Sequence, residues 1–239
     1  MRIDATNVDY KILNKNIIEN EDEIIIDNCI GQRYIASGLS NKKVIINGIP
    51  GNALGAYLDG AQIIVNGNVQ DAIGDTMNEG LIVVNGNAGD ALGYSMRGGR
   101  IYVKGDSGYR TGIHMKEYED KKPVIIVGGA TGSFLGEYLA GGIIIILGFT
   151  DKEKILGYFT GTGMHGGKIF VRTEDIEKYD FPQQVLINEA TEEDLQGIID
   201  YLKEYTEIFS MDLEYILKSK FYVLSANVKN PYKRLYTYN

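Results

Sequence analysis

The sequence contains one cysteine, four prolines and no tryptophan in 239 residues. The lone Cys29 excludes an internal disulfide and any all-cysteine metal or iron–sulfur site. With 30 glycines beside so few prolines, the chain is neither collagen-like nor Pro/Gly-disordered. Histidine is scarce too: His114 and His165 stand in no metal-ligand spacing, and no G-x-S-x-G elbow occurs. Basic residues are outnumbered, 24 against 32, and the net charge of −8 weighs against a nucleic-acid partner. Apolar runs are short. The longest, Ile143 to Leu147, has a strand's length, against the ~18 residues of a membrane helix. The start, Met1-Arg2-Ile3-Asp4, shows no signal-peptide pattern. Together these absences predict a cytoplasmic chain with no cofactor and no membrane contact. Apolar content of 44% rules out disorder, and the length sits near the top of the single-domain range.

What is abundant is glycine, and it recurs. Gly48, Gly67, Gly86 and Gly105 each end an apolar run, 19 residues apart. The series continues to Gly128 and Gly148, with Thr173 in the last copy. A second series runs in phase: Gly55, Gly74, Gly93, Gly112, Gly136 and Gly161. Two charged stretches, Lys116 to Lys122 and Asp151 to Lys154, read as insertions on the surface. Each unit holds one β-branched run: Val44–Ile46, Ile63–Val65, Ile82–Val84, Ile101–Val103, Val124–Val127, Ile143–Leu147 and Ile169–Val171. Nineteen residues cannot hold a β-α-β crossover, but they fit one coil of a parallel β-helix.

Stacking the units tests this. Val44, Ile63, Ile82, Ile101, Val124, Ile144 and Ile169 form one column; Ile46, Val65, Val84, Val103, Ile126, Ile146 and Val171 form another two residues on. Both are aliphatic throughout and share a face. A third column, Leu39, Leu58, Met77, Met96, Met115, Leu139 and Met164, belongs to the next side of the coil. These columns are the predicted core, where Ile82→Asp or Val84→Asp is expected to be severe and Lys152→Asp, in a loop, nearly neutral. The column between, Ile45, Ile64, Val83, Tyr102, Ile125, Ile145 and Phe170, points outward yet is apolar in every coil. Something covers it: the C-terminal segment, another protein or a second copy of the chain. The surface offered to a partner is thus Ile64, Val83, Tyr102, Ile125 and Phe170. The glycines supply sharp corners, and Asn47, Asn66 and Asn85 are placed to stack as a ladder.

The flanks differ. Residues 1–30 hold a strand at Glu23–Ile26 and read as an N-terminal cap. Beyond Thr173, Thr191 to Asp194 is a capping-box start, followed by an amphipathic helix on Leu195, Ile198, Ile199 and Leu202. A second helix is expected from Ser210 to about Lys218, then a strand from Phe221 to Ala226. The domain division is 1–30, 31–173 and 174–239.

Motifs that look chemical are weak. Gly161 to Gly166 matches G-x-G-x-x-G, but it precedes a strand instead of opening a helix. His114 shares an outward column with Tyr57, Thr76, Ser95 and Tyr138; His165 sits at a coil corner. Only the stretch Gly108 to Tyr118 breaks the pattern, with Arg110 where Ala53, Ala72 and Ala91 stand and Thr111 in a leucine-type position. It hints at a function or at an insertion docking there.

The coils Gly51–Gly67 and Gly89–Gly105, with Gly132 to Gly142, resemble the GXGXG-repeat domain family. That family includes the C-terminal β-helix domain of the glutamate synthase large subunit and a glycine-repeat subunit of formylmethanofuran dehydrogenase. Gly161 to Arg172 is similar to the last coil in glutamate synthase, and the tail order also matches: two helices, Phe221 to Leu224, then Pro231 to Leu235. The resemblance implies an all-β fold, a single-stranded right-handed parallel β-helix of about seven coils with a short helical cap. It implies no catalytic, cofactor or metal residue on this chain. It points to a non-catalytic scaffold subunit of a multi-chain glutamate synthase, partnered by glutaminase and FMN/iron–sulfur synthase subunits. The alternative is the corresponding scaffold of formylmethanofuran dehydrogenase or a related oxidoreductase. Left-handed β-helix acyltransferases are disfavoured, since their hexapeptide coils are 18 residues long.

Overall fold

In the computed structural model, which describes residues 1–20 and 23–227, the chain is a β-solenoid of about eight turns. The elements are β1 (Arg2–Asp4), α1 (Tyr10–Glu19), β2 (Glu23–Ile30), β3 (Lys43–Ile49), β4 (Asp59–Asn66), β5 (Glu79–Val84), β6 (Arg100–Val103), β7 (Val124–Val127), β8 (Ala140–Ile146) and β9 (Gly166–Arg172). After these come β10 (Val185–Glu189), α2 (Glu192–Gln196), α3 (Ile199–Phe209), α4 (Leu213–Leu217) and β11 (Phe221–Ala226). β1 to β9 pair in chain order, all parallel, and β11 then β10 close the far edge antiparallel. One sheet therefore runs the length of the rod. Returning chain forms the other sides of each coil.

The repeat places the core as the sequence implies, with one correction. Ile63, Ile82 and Ile101 are stacked and buried, as are Val65, Val84 and Val103. At β7, however, Ile101 pairs with Ile125 and Val103 with Val127. Ile125 therefore lies in the core and Ile126 faces outward, the reverse of the sequence alignment. The corner glycine of that coil is Gly129, whose N–H donates to the Gly105 carbonyl, rather than Gly128. Two adjacent glycines make the phase ambiguous, and a one-residue slip exchanges the faces of a strand. The methionine–leucine column is buried from Leu39 to Met164.

The two glycine series serve different purposes. Gly55 has φ +64°, and its counterparts from Gly74 to Gly161 lie between +62° and +74°. That is the left-handed backbone glycine tolerates best. Gly67 has no such φ. A Cβ there would collide with the Gly48 carbonyl oxygen of the coil before, so its role is close approach. Gly86 and Gly105 abut Gly67 and Gly86 in the same way, while Gly148 is left-handed at φ +68°.

Side-chain ladders add to the coil-to-coil bonding. Asn85 donates to Asn66 at 3.0 Å, Asn66 to Asn47 at 2.8 Å, and Asn47 to Asp27 at 2.7 Å. A second kind is not anticipated from the sequence. Asn68, Asn87 and Asp106 each accept the backbone N–H of the next coil, at 2.8, 2.9 and 2.7 Å. Asn52, Asp71 and Asp90 do the same for residues 71, 90 and 109. Its signal is Asn or Asp recurring at the 19-residue spacing.

Both ends are covered. α1, capped by Asp9, buries Leu13 and Ile17 against the first coils. The parallel ladder already begins at β1, inside the first thirty residues. At the far end β11 pairs with β9 over Phe221–Ser225. The capping box at Thr191 forms, but its helix ends at Gln196 and a new one starts at Ile199. Ser210 ends α3 in a left-handed conformation, φ 54°, and Asp212 caps the short α4 instead. The Phe221–Ala226 strand is as expected; β10 and α1 are additions to the sequence-based expectation. Pro231 to Leu235 lies outside the described residues.

Candidate interaction surfaces

The outward apolar stripe is mostly covered by the chain's own tail. Val83, Tyr102, Ile126, Ile145 and Phe170 are at most 2% exposed and cluster with Ile198, Leu202, Tyr205, Phe209 and Ile216. Tyr205 sits edge-on to Tyr102, ring centres 5.8 Å apart, and donates to the Val103 carbonyl at 3.1 Å. Tyr102 donates to Glu204 at 2.6 Å, and Arg100 pairs with the same carboxylate at 3.0 Å. Arg172 lies over the Phe149 and Tyr215 rings and donates to the Leu147 carbonyl, pinning α4 to the sheet. Of the five residues expected to form a partner surface, Val83, Tyr102 and Phe170 are therefore sealed beneath the tail and Ile125 is in the core. Only Ile64 stays half-exposed, next to Ile45 and Ile25 in the same row. A single helix is too short to cover the stripe, but α2, α3 and α4 fold over it together.

Where the charged insertion crosses the sheet edge, Lys121 holds it to Glu79 at 3.0 Å. Beyond it lies an open groove of about 560 Å³, lined by Glu117, Lys122, Lys168, Thr191 and Asp194 among others. One ion pair lies in its lining. Lys168 pairs with Asp194 at 2.7 Å, and this ammonium, with the Thr191 hydroxyl and N–H, holds the Asp194 carboxyl below the usual range.

The opposite edge of the coil bends through alternating left-handed residues. Ala53, Ala72, Ala91, Arg110, Phe134 and Phe159 form one column, φ +55° to +64°. Tyr57, Thr76, Ser95, His114 and Tyr138 form another, φ +51° to +57°. The break at Arg110 is thus not a local exception, since the next two coils place phenylalanine there. His114 stacks on Tyr138, centres 5.1 Å apart and planes at 9°, with Tyr94 edge-on at 6.0 Å. Phe134 stacks on Phe159 at 5.1 Å; the Arg110 guanidinium lies 5.0 Å from the Phe134 ring and pairs with Glu137 at 3.1 Å. Sequence singles out Arg110 and His114, but not the aromatic run that continues from them.

The GXGXG motif family matches residues 5–229. The chain belongs to the GXGXG family. A relative, "Uncharacterized protein MJ1350" of Methanocaldococcus jannaschii, is 44% identical over 250 residues, covering 98% of this chain and 95% of its own. Among solved structures, a chain of the formyltransferase/hydrolase complex (FhcABCD) from Methylorubrum extorquens, in complex with methylofuran, superposes with a TM-score of 0.67. The overlap spans 96% of this chain and 92% of that one, at 16% identity.

Among the described residues no cluster of three or more His, Cys, Asp and Glu could hold a metal ion. Gly161–Gly166 leads into β9, so its backbone does not form a helix N-terminus. His165 is exposed, with Nδ1 3.2 Å from the Gly163 carbonyl. Cys29 is fully buried, and burial pushes its thiol up to about 11. At neutral pH it is a packed thiol rather than a nucleophile. The raised value favours the fold below the unfolded thiol's pKa of roughly 8.5 and is lost as pH climbs through about 11. Native protein at pH 8 should therefore react with a disulfide reagent only at its rate of opening, at least a hundredfold slower than in denaturant. Rapid native labelling would contradict this.

Proposed function

We propose that this chain is a scaffold subunit of a multi-chain oxidoreductase-type complex, of the formylmethanofuran dehydrogenase kind, with no reaction centre of its own. The observation that carries this reading is the overlap with nearly all of a chain from a formyltransferase/hydrolase complex. The overlap takes in the flanks as well as the repeat. A rod of stacked coils with a covered sheet face presents long, rigid edges, which suits bracing of other chains. The buried Cys29 and the Lys168–Asp194 ion pair of the groove fit a structural rather than a reactive role.

A multi-chain glutamate synthase is the second reading, with glutaminase and FMN/iron–sulfur synthase chains as partners. It is favoured by the tail, where helices are followed by β11 in the order the resemblance implies. Co-expression separates the two. The tagged chain is produced with the formyltransferase/hydrolase-type chains, and separately with the glutaminase and synthase chains, from its own genome. Native mass spectrometry of the purified material is expected to show a stoichiometric assembly with the first set alone. Assembly with the second set hands the role to glutamate synthase, and assembly with neither refutes both. The pure chain is expected to release no ammonia from glutamine above a blank.

A further inference from the structure

The aromatic edge stands out on three grounds. Tyr158 is 67% exposed, Phe159 57%, Tyr109 52%, Tyr138 43% and Tyr94 39%, all on neighbouring coils. Five aromatic side chains at about half of ~200 Å² each offer roughly 500 Å². That is more than half of the ~800 Å² a stable interface takes from each partner. Part of the backbone beneath them is costly, with Tyr138 at φ +53°. Phe134 and Phe159 sit at φ +64° and +62°, where Ala53, Ala72 and Ala91 fill the same place in earlier coils. A left-handed non-glycine residue carries strain, and the fold gains little from rings that point away from the core. Finally, the ridge continues into an acidic row on the same edge, Asp71, Asp75 and Asp90, with Asp71 and Asp90 exposed.

We infer that this edge is a docking surface for a different polypeptide of the same complex, one presenting an apolar centre to the aromatic ridge and Lys/Arg side chains to the aspartate row. This rests on the subunit role proposed above. Aromatic and arginine anchors are the residue types that concentrate binding energy at interfaces. A second copy of the chain fits poorly, because each copy has net charge −8 and brings its own aspartate row to the contact.

The test uses the full chain with the co-expressed formyltransferase/hydrolase-type set as probe. Phe159→Gly removes a side chain from a left-handed residue, and Tyr158→Ser trims its neighbour. Both should leave the melting temperature of the free chain within about 3 °C. Affinity for the probe chains should fall roughly thirtyfold. Asp71→Asn with Asp90→Asn keeps the acceptors for the next coil, as Asn52 already does at the equivalent position. This pair should leave the fold intact while flattening the salt dependence of binding. If the complex forms and Phe159→Gly and Tyr158→Ser bind as the wild type does, the docking assignment is wrong and the subunit role stands. A lower mass for the free variant than for the free wild type would mean a second copy occupies the edge, and would also overturn the assignment. If no complex forms with this set, the subunit role fails and the docking assignment fails with it.

Discussion

Val84→Asp is expected to abolish folding at neutral pH. Val84 is fully buried in the column that runs from Val65 to Val103 and has only aliphatic neighbours above and below. A carboxyl there has no partner and costs about 5 kcal/mol or more, comparable with a typical domain's whole stability of roughly 5–15 kcal/mol. Solenoid coils depend on their neighbours, so the loss spreads along the rod. Burial would raise the new carboxyl's pKa in the folded state. The variant should then be least destabilised below about pH 4, and worse as pH rises through the folded value. The matched control is Lys104→Gln, on an exposed residue, within about 0.5 kcal/mol of wild type. Lys152→Asp is unsuitable, because the Lys152 ammonium pairs with Asp106 at 2.7 Å and the substitution would set two carboxylates together. Equal melting temperatures for Val84→Asp and the control would refute the register.

The second large effect is expected from Tyr205→Ala. This ring packs on Tyr102 and at 4.7 Å on Phe209, with no exposed surface. Its loss should cost about 3–5 kcal/mol, concentrated where the tail helices meet the sheet. The tail should then release before the solenoid melts, uncovering Tyr102, Ile145 and Phe170. Two thermal transitions, and apparent mass rising with concentration, are the readouts. Tyr205→Phe keeps the ring and loses one buried hydrogen bond, about 1 kcal/mol. Strong alkali should act in the same direction. Burial pushes both the Tyr102 and Tyr205 hydroxyls well above the ordinary tyrosine value, and for Tyr102 the bonded Glu204 adds to this. Their contribution is present below about pH 10 and is lost as pH rises toward the folded values. One unchanged transition for Tyr205→Ala would show that the tail is not a separate layer.

The repeat is legible because each coil makes the same demands at the same spacing. Glycine at the left-handed corner, an aliphatic pair on the strand and methionine or leucine on the next side recur wherever the chain closes a turn. Asn47, Asn66 and Asn85 can be read as a ladder for the same reason. The phase slips at Gly128–Gly129, where either glycine could be the corner and the charged insertion hides the count. Helix α1 escapes notice because a short amphipathic stretch before a strand has no repeat to calibrate it. The change from alanine to Arg110 is visible in the sequence. Its meaning is not, since only stacking brings Phe134 and Phe159 beside it.

What the sequence determined alone is therefore the coil: its length, its inward columns except at β7, and the family it belongs to, all set by local geometry repeated every 19 residues. Tertiary structure alone decided what meets the outside of the coil. From β5 onward the sheet's outer face is covered by α2, α3 and α4, far away in sequence from Tyr102, and the bent edge gathers aromatic residues from separate coils into one ridge. No local spacing encodes such contacts. They follow from competition among apolar surfaces for burial, which is resolved only when the whole chain has folded.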